Sequence, residues 1–577
     1  MSYDKKNTWP RVGVALLAAS FSLLAAAQQR PDAGSIIEQQ RERVRVPAPE
    51  REVLPKAPPG RPALAASPTL RVAVTAFRVS GNTAIAEDVL LAALKESVGK
   101  TLDFEGLNEA ANVIQRLYRE RGYFLAVAFL PQQQIQNGVV EIAVLEGKVG
   151  NVALEMPAKA RMRESLPRGI LNTYIKPGAL ITETGLERPL LLINDLAGVS
   201  VTSALGPSKS TLGAADITVK LVEDARLVNG YVDFDNGGNR FTGEFRAGVN
   251  VNVNNFAGYG DLFSLRGFTS DERMSFGRAA YVVPVGYWGT RIGASYTAFD
   301  YMLAKTEFAR TEAHGKGEVA TLYALHPFLR TRNANFLIQA AYETKNLKDY
   351  VDSTSPKQFV QRRIDSGKLG AIGDFRDGML GGGFNSYALN YTDGKLNLGP
   401  SGELTADQNR TTGLRTDGRF SKTNAEYKRL QRITNDWNLL LAYSSQYASK
   451  NLASAEKFSL GGPNGVRAYP MGEGTGDSGY LISTEVRYLV PKFKVLKGDV
   501  TLSAFYDMGN VQANERALAT DTANMRGLAG YGLGLSLGKE DGFLVKTSVA
   551  WRAENERPAS DGVLRIPRVW IQAIKWF

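Results

Sequence analysis

Residues 242–254 read TGEFRAGVNVNVN. Phe245, Ala247, Val249, Val251 and Val253 fall on one face of an extended chain, and Glu244, Arg246, Asn250, Asn252 and Asn254 on the other. That is a period of two, the signature of a strand with one apolar and one polar face. The same alternation returns at Ile292/Ala294/Tyr296, at Trp437/Leu439/Leu441/Tyr443, at Tyr480/Ile482/Thr484/Val486/Tyr488 and at Tyr531/Leu533/Leu535/Leu537. Strands of a soluble sandwich usually run about five or six residues, whereas these alternating runs reach about nine to thirteen, the length needed to cross a bilayer at a tilt. The pattern predicts a transmembrane β-barrel over 226–577.

Connection lengths orient it. Strands are expected near 436–448, 479–490, 499–510, 527–538, 542–552 and 567–577, with long links at 449–478, 511–526 and 553–566 and short ones at 491–498 and 539–541. Outer-membrane barrels have short periplasmic turns and longer outside loops, so the C-terminus belongs in the periplasm. Roughly 350 residues at roughly 22 per strand and connection give about sixteen antiparallel strands, and an even number returns both ends to the same side.

Composition narrows the chemistry. The 577 residues contain no cysteine, which removes disulfides, thiol nucleophiles and thiolate metal sites, and His314 and His326 are the only imidazoles. No enzymatic site, cofactor or metal centre is expected. The formal charge is +11, but the basic residues are spread thinly, without the dense run that would point to nucleic acid.

The N-terminus reads as an address. Lys5, Lys6 and Arg11 precede the apolar stretch 12–24 and then Ala25, Ala26 and Ala27, the order of a secretory signal peptide cleaved after Ala27. Loss of 1–27 removes three bases and one acid, lowering the charge from +11 to +9. Residues 28–45 follow, and within them SIIEQQRERVR (35–45) predicts about three helical turns, with Ser35 as N-cap and Glu38 at the third position of a capping box. Its apolar face, Ile36, Ile37 and Val44, is thin, so the helix suits a polar site such as a wet lumen. Seven prolines in 46–69 make that segment an extended linker, spanning up to about 70 Å at about 3.1 Å per residue.

Residues 70–147 then read strand, helix, helix, strand, strand: RVAVTAFRVSGN, helices near 85–95 and 104–121, and the strands YFLAVAFL and VVEIAVLEG. Residues 148–225 repeat the order, with NVALEM, helices near 161–171 and 183–196, VSVTSAL and ADITVKLVE. Two copies of one β-α-α-β-β unit therefore stand in tandem. Their edge-strand candidates are 121–130 and 198–205.

Two segments of the barrel carry more than solubility requires. LGGPNGVRAYPMGEGTGDSG (460–479) has nine Gly or Pro in twenty residues, which suits a loop that folds back on itself around Val466, Arg467 and Tyr469. In AFYDMG (504–509), alternation sends Leu502, Ala504, Tyr506 and Met508 to lipid and Asp507 to the lumen. Chemistry alone leaves two arrangements open: Arg467 and Asp507 pair with each other inside the barrel, or each meets lumen water and other neighbours. GLGLSLG (532–538) is glycine-rich but lies in an alternating strand with no following helix, so it is no phosphate loop.

In this order, the leader, short helix, proline-rich linker, two β-α-α-β-β units, barrel, GVRAY loop and FYDMG strand resemble the TpsB-type outer-membrane transporters of two-partner secretion. That family includes the filamentous-haemagglutinin and haemolysin exporters. The resemblance implies that the repeats are POTRA domains in the periplasm, and that 235–246 (DNGGNRFTGEFR) opens the barrel. It implies that Val466, Arg467 and Tyr469 form the loop motif and Phe505, Asp507 and Gly509 its partner on the strand, with Ala468 where the family has glycine. It further implies that the short helix (Ser35, Ile36, Ile37, Glu38, Arg41 and Val44) plugs the pore at rest. Phe577 is similar to the C-terminal aromatic read by the barrel-assembly machinery, while Lys575 departs from the usual apolar residue. The partners implied are a secreted, unfolded TpsA-like exoprotein, outer-membrane lipid and the barrel-assembly machinery. The main rival is a barrel-assembly chaperone of the same superfamily. A passive porin gives no reason for tandem periplasmic repeats.

Overall fold

A computed structural model describes residues 31–40 and 71–577, except positions 212, 225, 304, 356, 400–401, 519–520, 522, 540–541, 555–556 and 562–563. The expected leader, the linker, and Arg41 and Val44 of the expected helix lie outside the described residues.

The two tandem units share one topology. In the first, Ala76–Ser80 pairs parallel with Val139–Leu145, which pairs antiparallel with Val127–Phe129; in the second, Lys148–Glu155, Ala214–Glu223 and Val199–Pro207 do the same. Val127–Phe129 and Val199–Pro207 are edge strands, the first inside the segment 121–130 and the second overrunning 198–205 by two residues. The stretch expected as one first strand is broken: Arg71–Ala73 leaves the main sheet and pairs with Thr101–Asp103 instead.

Each sheet is covered by two helices. In the first unit, Phe104–Glu120 is capped by Asp103, whose carboxylate accepts from the Gly106 amide, and it buries Leu107, Ala110, Ala111, Ile114 and Tyr118. The Tyr118 hydroxyl donates to buried Glu146 at 2.8 Å, and the amides of Thr83 and Ala84 donate to the same carboxylate at 2.6 and 2.7 Å. Burial alone would raise the Glu146 carboxyl, but these donors hold it below its ordinary value. In the second unit the helices are Ser165–Tyr174, which starts and ends about three residues later than expected, and Glu183–Asn194.

Sixteen strands close the barrel: β1 Val228–Asp235, β2 Arg246–Asn254, β3 Leu262–Ser270, β4 Ser275–Val285, β5 Thr290–Met302, β6 Ala313–Arg330, β7 Ala334–Val351 and β8 Gln358–Asp377, then β9 Gly383–Asn397, β10 Gly418–Arg432, β11 Trp437–Ala448, β12 Ser478–Val495, β13 Gly498–Gln512, β14 Met525–Lys539, β15 Phe543–Arg552 and β16 Arg568–Trp576. β16 returns to β1 through five residue pairs, from Gln572↔Asp235 to Trp576↔Tyr231. Closure leaves no unpaired strand edge to face hydrocarbon. The pleat sorts the side chains: on β13, Tyr506 and Met508 are 45% and 37% exposed on the outside, while Asp507 between them is fully buried in the lumen.

The second unit sits under the short turns on one side of the barrel. Arg330, at the foot of β6, bonds Asp195 at 2.6 and 2.9 Å, Arg332 bonds Glu187 at 3.0 Å, and Arg188 donates to the Pro327 carbonyl at 2.7 Å. These contacts place the second repeat at the end of the barrel that carries the short turns.

Candidate functional site

The loop 449–477 between β11 and β12 folds into the lumen. Backbone bonds from Leu460 to Gly474, Gly461 to Glu473 and Val466 to Leu460 draw it into a narrow hairpin, closed at its tip by Gly462 to Tyr469. An added Cβ on Gly465 would stand 1.9 Å from the Leu460 carbonyl oxygen, so only glycine fits that turn. Val466, Ala468 and Tyr469 pack with Leu460, Leu481, Phe505 and Leu528 in a small apolar cluster. The base is fastened to its neighbours: Glu473 accepts from the amides of Ala559 and Ser560 and from Arg526, and Asp477 accepts from the Glu515 amide at 2.8 Å.

Arg467 leaves this tip and reaches the wall made by β12 and β13. Its Nε and Nη2 donate to the two oxygens of Asp507 at 2.8 and 2.9 Å, a bidentate fork, and Nη1 donates to Glu485 at 2.7 Å. Ser483 donates to the same Asp507 at 2.6 Å. The guanidinium lies over the Phe505 ring, 3.3 Å from its centroid, and the Trp570 indole on β16 donates to the Arg467 carbonyl at 2.7 Å. A Cβ on Gly509 would stand 2.6 Å from a Leu460 methyl and from the Tyr480 carbonyl oxygen, so the loop packs against bare backbone there.

Glu485, Ser483 and Trp570 were not singled out from sequence. The signal was available: on β12 the outward set Tyr480, Ile482, Thr484 and Val486 leaves Ser483 and Glu485 facing inward, beside Asp507. The glycines of 532–538 also gain a role. Gly530 and Gly532 on β14 face the lumen, and a Cβ on Gly530 would come within 2.5 Å of the Ala468 methyl. The wall is hollowed where the loop carries alanine.

The short helix, α1 (Ala33–Gln39), lies inside the barrel toward the end carrying the long loops. Its N-cap is Asp32, not Ser35: the Asp32 carboxylate accepts from the Ser35 amide at 2.8 Å, and Ser35 is the third residue, its hydroxyl accepting from the Asp32 amide at 3.0 Å. An aspartate stands three residues before the expected start, and its carboxylate serves a second purpose. Asp32 also bonds Arg362 on β8 at 3.0 Å and Ser454 of the folded-in loop at 2.8 Å. Asp349 on β7 accepts from the Ala33 amide at 2.9 Å and from Arg362 at 2.7 Å, and Glu403 accepts from Arg362 at 2.7 Å. Three carboxylates thus surround one guanidinium at the head of α1. Burial pushes the Glu403 carboxyl up, and Asp32 and Asp349 push the same way against the Arg362 charge; one Glu403 oxygen is buried with no hydrogen-bond partner.

The remaining contacts of α1 are mixed. Ile36 is buried among Phe299, Tyr301, Leu347 and Ile364, and Ile37 packs partly against the same cluster, so the helix docks on more apolar surface than its thin face suggested. Glu38 borders a lumen cavity of about 220 Å³ with Lys345, Lys368, Lys422 and Glu456. Phe577, half-exposed, exchanges backbone bonds with Gly230 of β1 at 3.0 and 3.2 Å, and Lys575 faces outward opposite Val232.

Comparison with known proteins places this architecture. The family model for the haemolysin secretion/activation protein ShlB/FhaC/HecB matches residues 213–537, more than half of the chain, and the ShlB-type POTRA domain model matches 72–147. The heme/hemopexin transporter protein HuxB of Haemophilus influenzae (strain 86-028NP) is 28% identical over 499 residues, covering 86% of this chain and 85% of HuxB. The outer membrane transporter CdiB of Dickeya dadantii is 24% identical over 440 residues, 74% of each chain. Among solved structures, CdiB from Escherichia coli superposes with a TM-score of 0.68 at 19% identity over 95% of this chain and 96% of its own. BamA from Haemophilus ducreyi lacking POTRA domains 1–3 reaches 0.51 at 14% identity, over 87% of this chain and all of its own.

Proposed function

The chain belongs to the ShlB/FhaC/HecB family of haemolysin secretion/activation proteins, an outer-membrane transporter that exports a partner protein, and from this premise we propose how its parts divide the work. An unfolded, secreted exoprotein is met in the periplasm by the tandem units. The edge strands Val127–Phe129 and Val199–Pro207 offer backbone groups to which an extended segment adds as a further strand, a mode largely indifferent to sequence. Export draws on this binding and on folding of the exoprotein outside, without ATP, cofactor or a catalytic step.

The observation that carries the gating is α1 within a closed barrel. It is held by the Asp32–Arg362–Asp349–Glu403 cluster, the Asp32–Ser454 bond and the packing of Ala33, Ile36 and Ile37, polar and apolar contacts that are all confined to one short helix and can be released together. Thirty residues, 41–70, separate it from the first tandem unit, long enough for it to withdraw toward the periplasm while staying attached. The Arg467 hairpin stays fastened to β12 and β13 and lines the passage. Phe577 serves as the assembly signal by presenting an aromatic at the closing seam.

The test is secretion of the partner exoprotein in cells lacking this chain, complemented by the wild type. Exoprotein in the medium with the wild type alone supports the reading, and equal export in the deletion strain refutes it. A fall in other outer-membrane barrels in the deletion strain would mark an assembly chaperone instead.

A further inference from the structure

The middle of the barrel's outer wall is largely apolar, and basic residues stand above it on five successive strands: Lys316 on β6, Lys348 on β7, Arg363 on β8, Lys395 on β9 and Arg419 on β10. All five share the outward face, because their neighbours Gly317, Leu347, Ile364, Gly394 and Phe420 point into the barrel. The spacing repeats. Lys316, Lys348 and Arg363 each lie twelve residues from an outward phenylalanine at the periplasmic end, Phe328, Phe336 and Phe375 in turn. Twelve residues at about 3.3 Å rise and about 45° tilt climb about 28 Å, just past an apolar band about 25 Å tall. The basic residues therefore meet the headgroups of the outer leaflet.

Register makes them one stripe. Lys316 stands directly opposite Lys348, and Lys395 directly opposite Arg419. Arg363 is opposite Asn346 and Asn397, diagonal to both Lys348 and Lys395. Carboxylates lie among them: Asp300 faces Lys316, Glu318 lies below it, Asp365 holds Arg363 at 3.0 Å and Asp393 holds Arg419 at 3.1 Å. Like charges directly opposite repel unless something anionic sits between them, and the Lys316–Lys348 pair is such a place, whereas Asp393 already answers Arg419 beside Lys395. Below the stripe, Leu322, Tyr342 and Leu369 are more than half exposed, a surface for acyl chains. Above it, the His314 ring stacks on Tyr350 with centroids 4.9 Å apart, and Tyr350 meets Phe359 at 5.0 Å, a shelf of flat rings.

We propose that this stripe binds the phosphates of the outer leaflet's phosphorylated glycolipid, with its acyl chains on the apolar strip below and its sugars on the aromatic shelf above. The ligand is lipopolysaccharide: phosphate alone would need no apolar strip, and a glycerophospholipid has no sugars for the shelf. The site fixes the height and rotation of the β6–β10 wall in the membrane, the wall that carries Asp349 and Arg362 on its inner face.

The test uses the full chain purified in detergent, with retention of deep-rough lipopolysaccharide read by native mass spectrometry. The triple variant Lys316→Gln/Lys348→Gln/Lys395→Gln is expected to bind about 100-fold more weakly, at roughly fivefold per lysine. Wild type should lose a similar factor toward dephosphorylated lipopolysaccharide, which decides the matter even where the variant fails to fold. Unchanged binding by the folded variant, equal binding of the dephosphorylated glycolipid, or displacement by an equal concentration of phosphatidylglycerol would each overturn the proposal. Heat-modifiable migration on electrophoresis checks the barrel separately, so failure of the outer-membrane placement is distinguishable from failure of the site.

Discussion

Replacing Arg467 with Ala removes the cation that bridges Asp507 and Glu485 through bonds of 2.7–2.9 Å. Asp507 is fully buried, and the Glu485 side chain is 12% exposed. Breaking a buried pair from one side costs about 3–5 kcal/mol, because the remaining charge stays desolvated. The loss falls on docking of the hairpin, whose other ties to the wall include the Arg467 amide's bond to Asp507 at 3.2 Å, the Trp570 bond to the Arg467 carbonyl and the small apolar cluster. Docking should weaken by about two to three and a half orders of magnitude, at 1.4 kcal/mol per factor of ten. Hydrogen exchange and protease sensitivity of 460–479 read this directly, and secretion of the exoprotein reads its consequence. We expect protection of the hairpin to fall and export to stop, with the barrel still inserted and heat-modifiable. Arg467→Lys keeps the charge but loses the fork, and should lie between. Adding Asp507→Asn to Arg467→Ala removes one stranded charge and should restore part of the protection. Full protection of 460–479 in Arg467→Ala would refute the reasoning, since the hairpin would then be held by something other than this pair.

Deleting residues 35–45 should raise ion conductance in a planar bilayer, because α1 occupies the lumen; unchanged conductance rejects its role as a plug. The Glu403 carboxyl sits above its ordinary value of 4.5, so the docked state takes up a proton. Its stabilising effect is complete below that value and is lost as pH rises through the folded-state value. Wild-type conductance should therefore climb with pH above about 4.5, and Glu403→Gln should flatten the profile; superimposable profiles would dismiss the carboxylate cluster as the latch. Glu146 behaves oppositely. Its lowered value gives stability that is present above 4.5 and fades as pH falls through the folded-state value, so Glu146→Ala should expose the amides of 72–147 to exchange by about 1–3 kcal/mol at neutral pH, with the difference shrinking in acid.

The barrel was legible because the bilayer enforces a period of two at every strand, whatever residues fill it. Where that constraint lapses, so did legibility. Arg71–Ala73 continues the sequence pattern of Ala76–Ser80, but pairs with Thr101–Asp103, a choice made by tertiary contact that no local period records. Alternation placed Asp507 in the lumen, and the same rule places Ser483 and Glu485 beside it. What alternation cannot give is partnership across loops. Arg362 is one of three arginines on β8, and only the fold brings Asp32, Asp349 and Glu403 to it from segments more than 300, 10 and 40 residues away.

The two lumen sites differ in a way that fits their roles. At the hairpin, one guanidinium meets Asp507 as a bidentate fork, with Glu485, Ser483 and an aromatic face completing its surroundings. A buried charge so fully partnered is costly to disturb, and suits an element that stays while cargo passes. At α1, one guanidinium is shared by three carboxylates, and one of their oxygens has no hydrogen-bond partner. Carboxylates confined together repel, so withdrawal of Asp32 relieves part of the strain that burial imposes on Asp349 and Glu403. The helix is held by a contact that improves for the remaining partners when it leaves. Replacing Glu403 with Gln should therefore hold α1 more firmly and slow export, even though it deletes an apparent ion pair; faster export in that variant would mean that the cluster acts as a simple clasp.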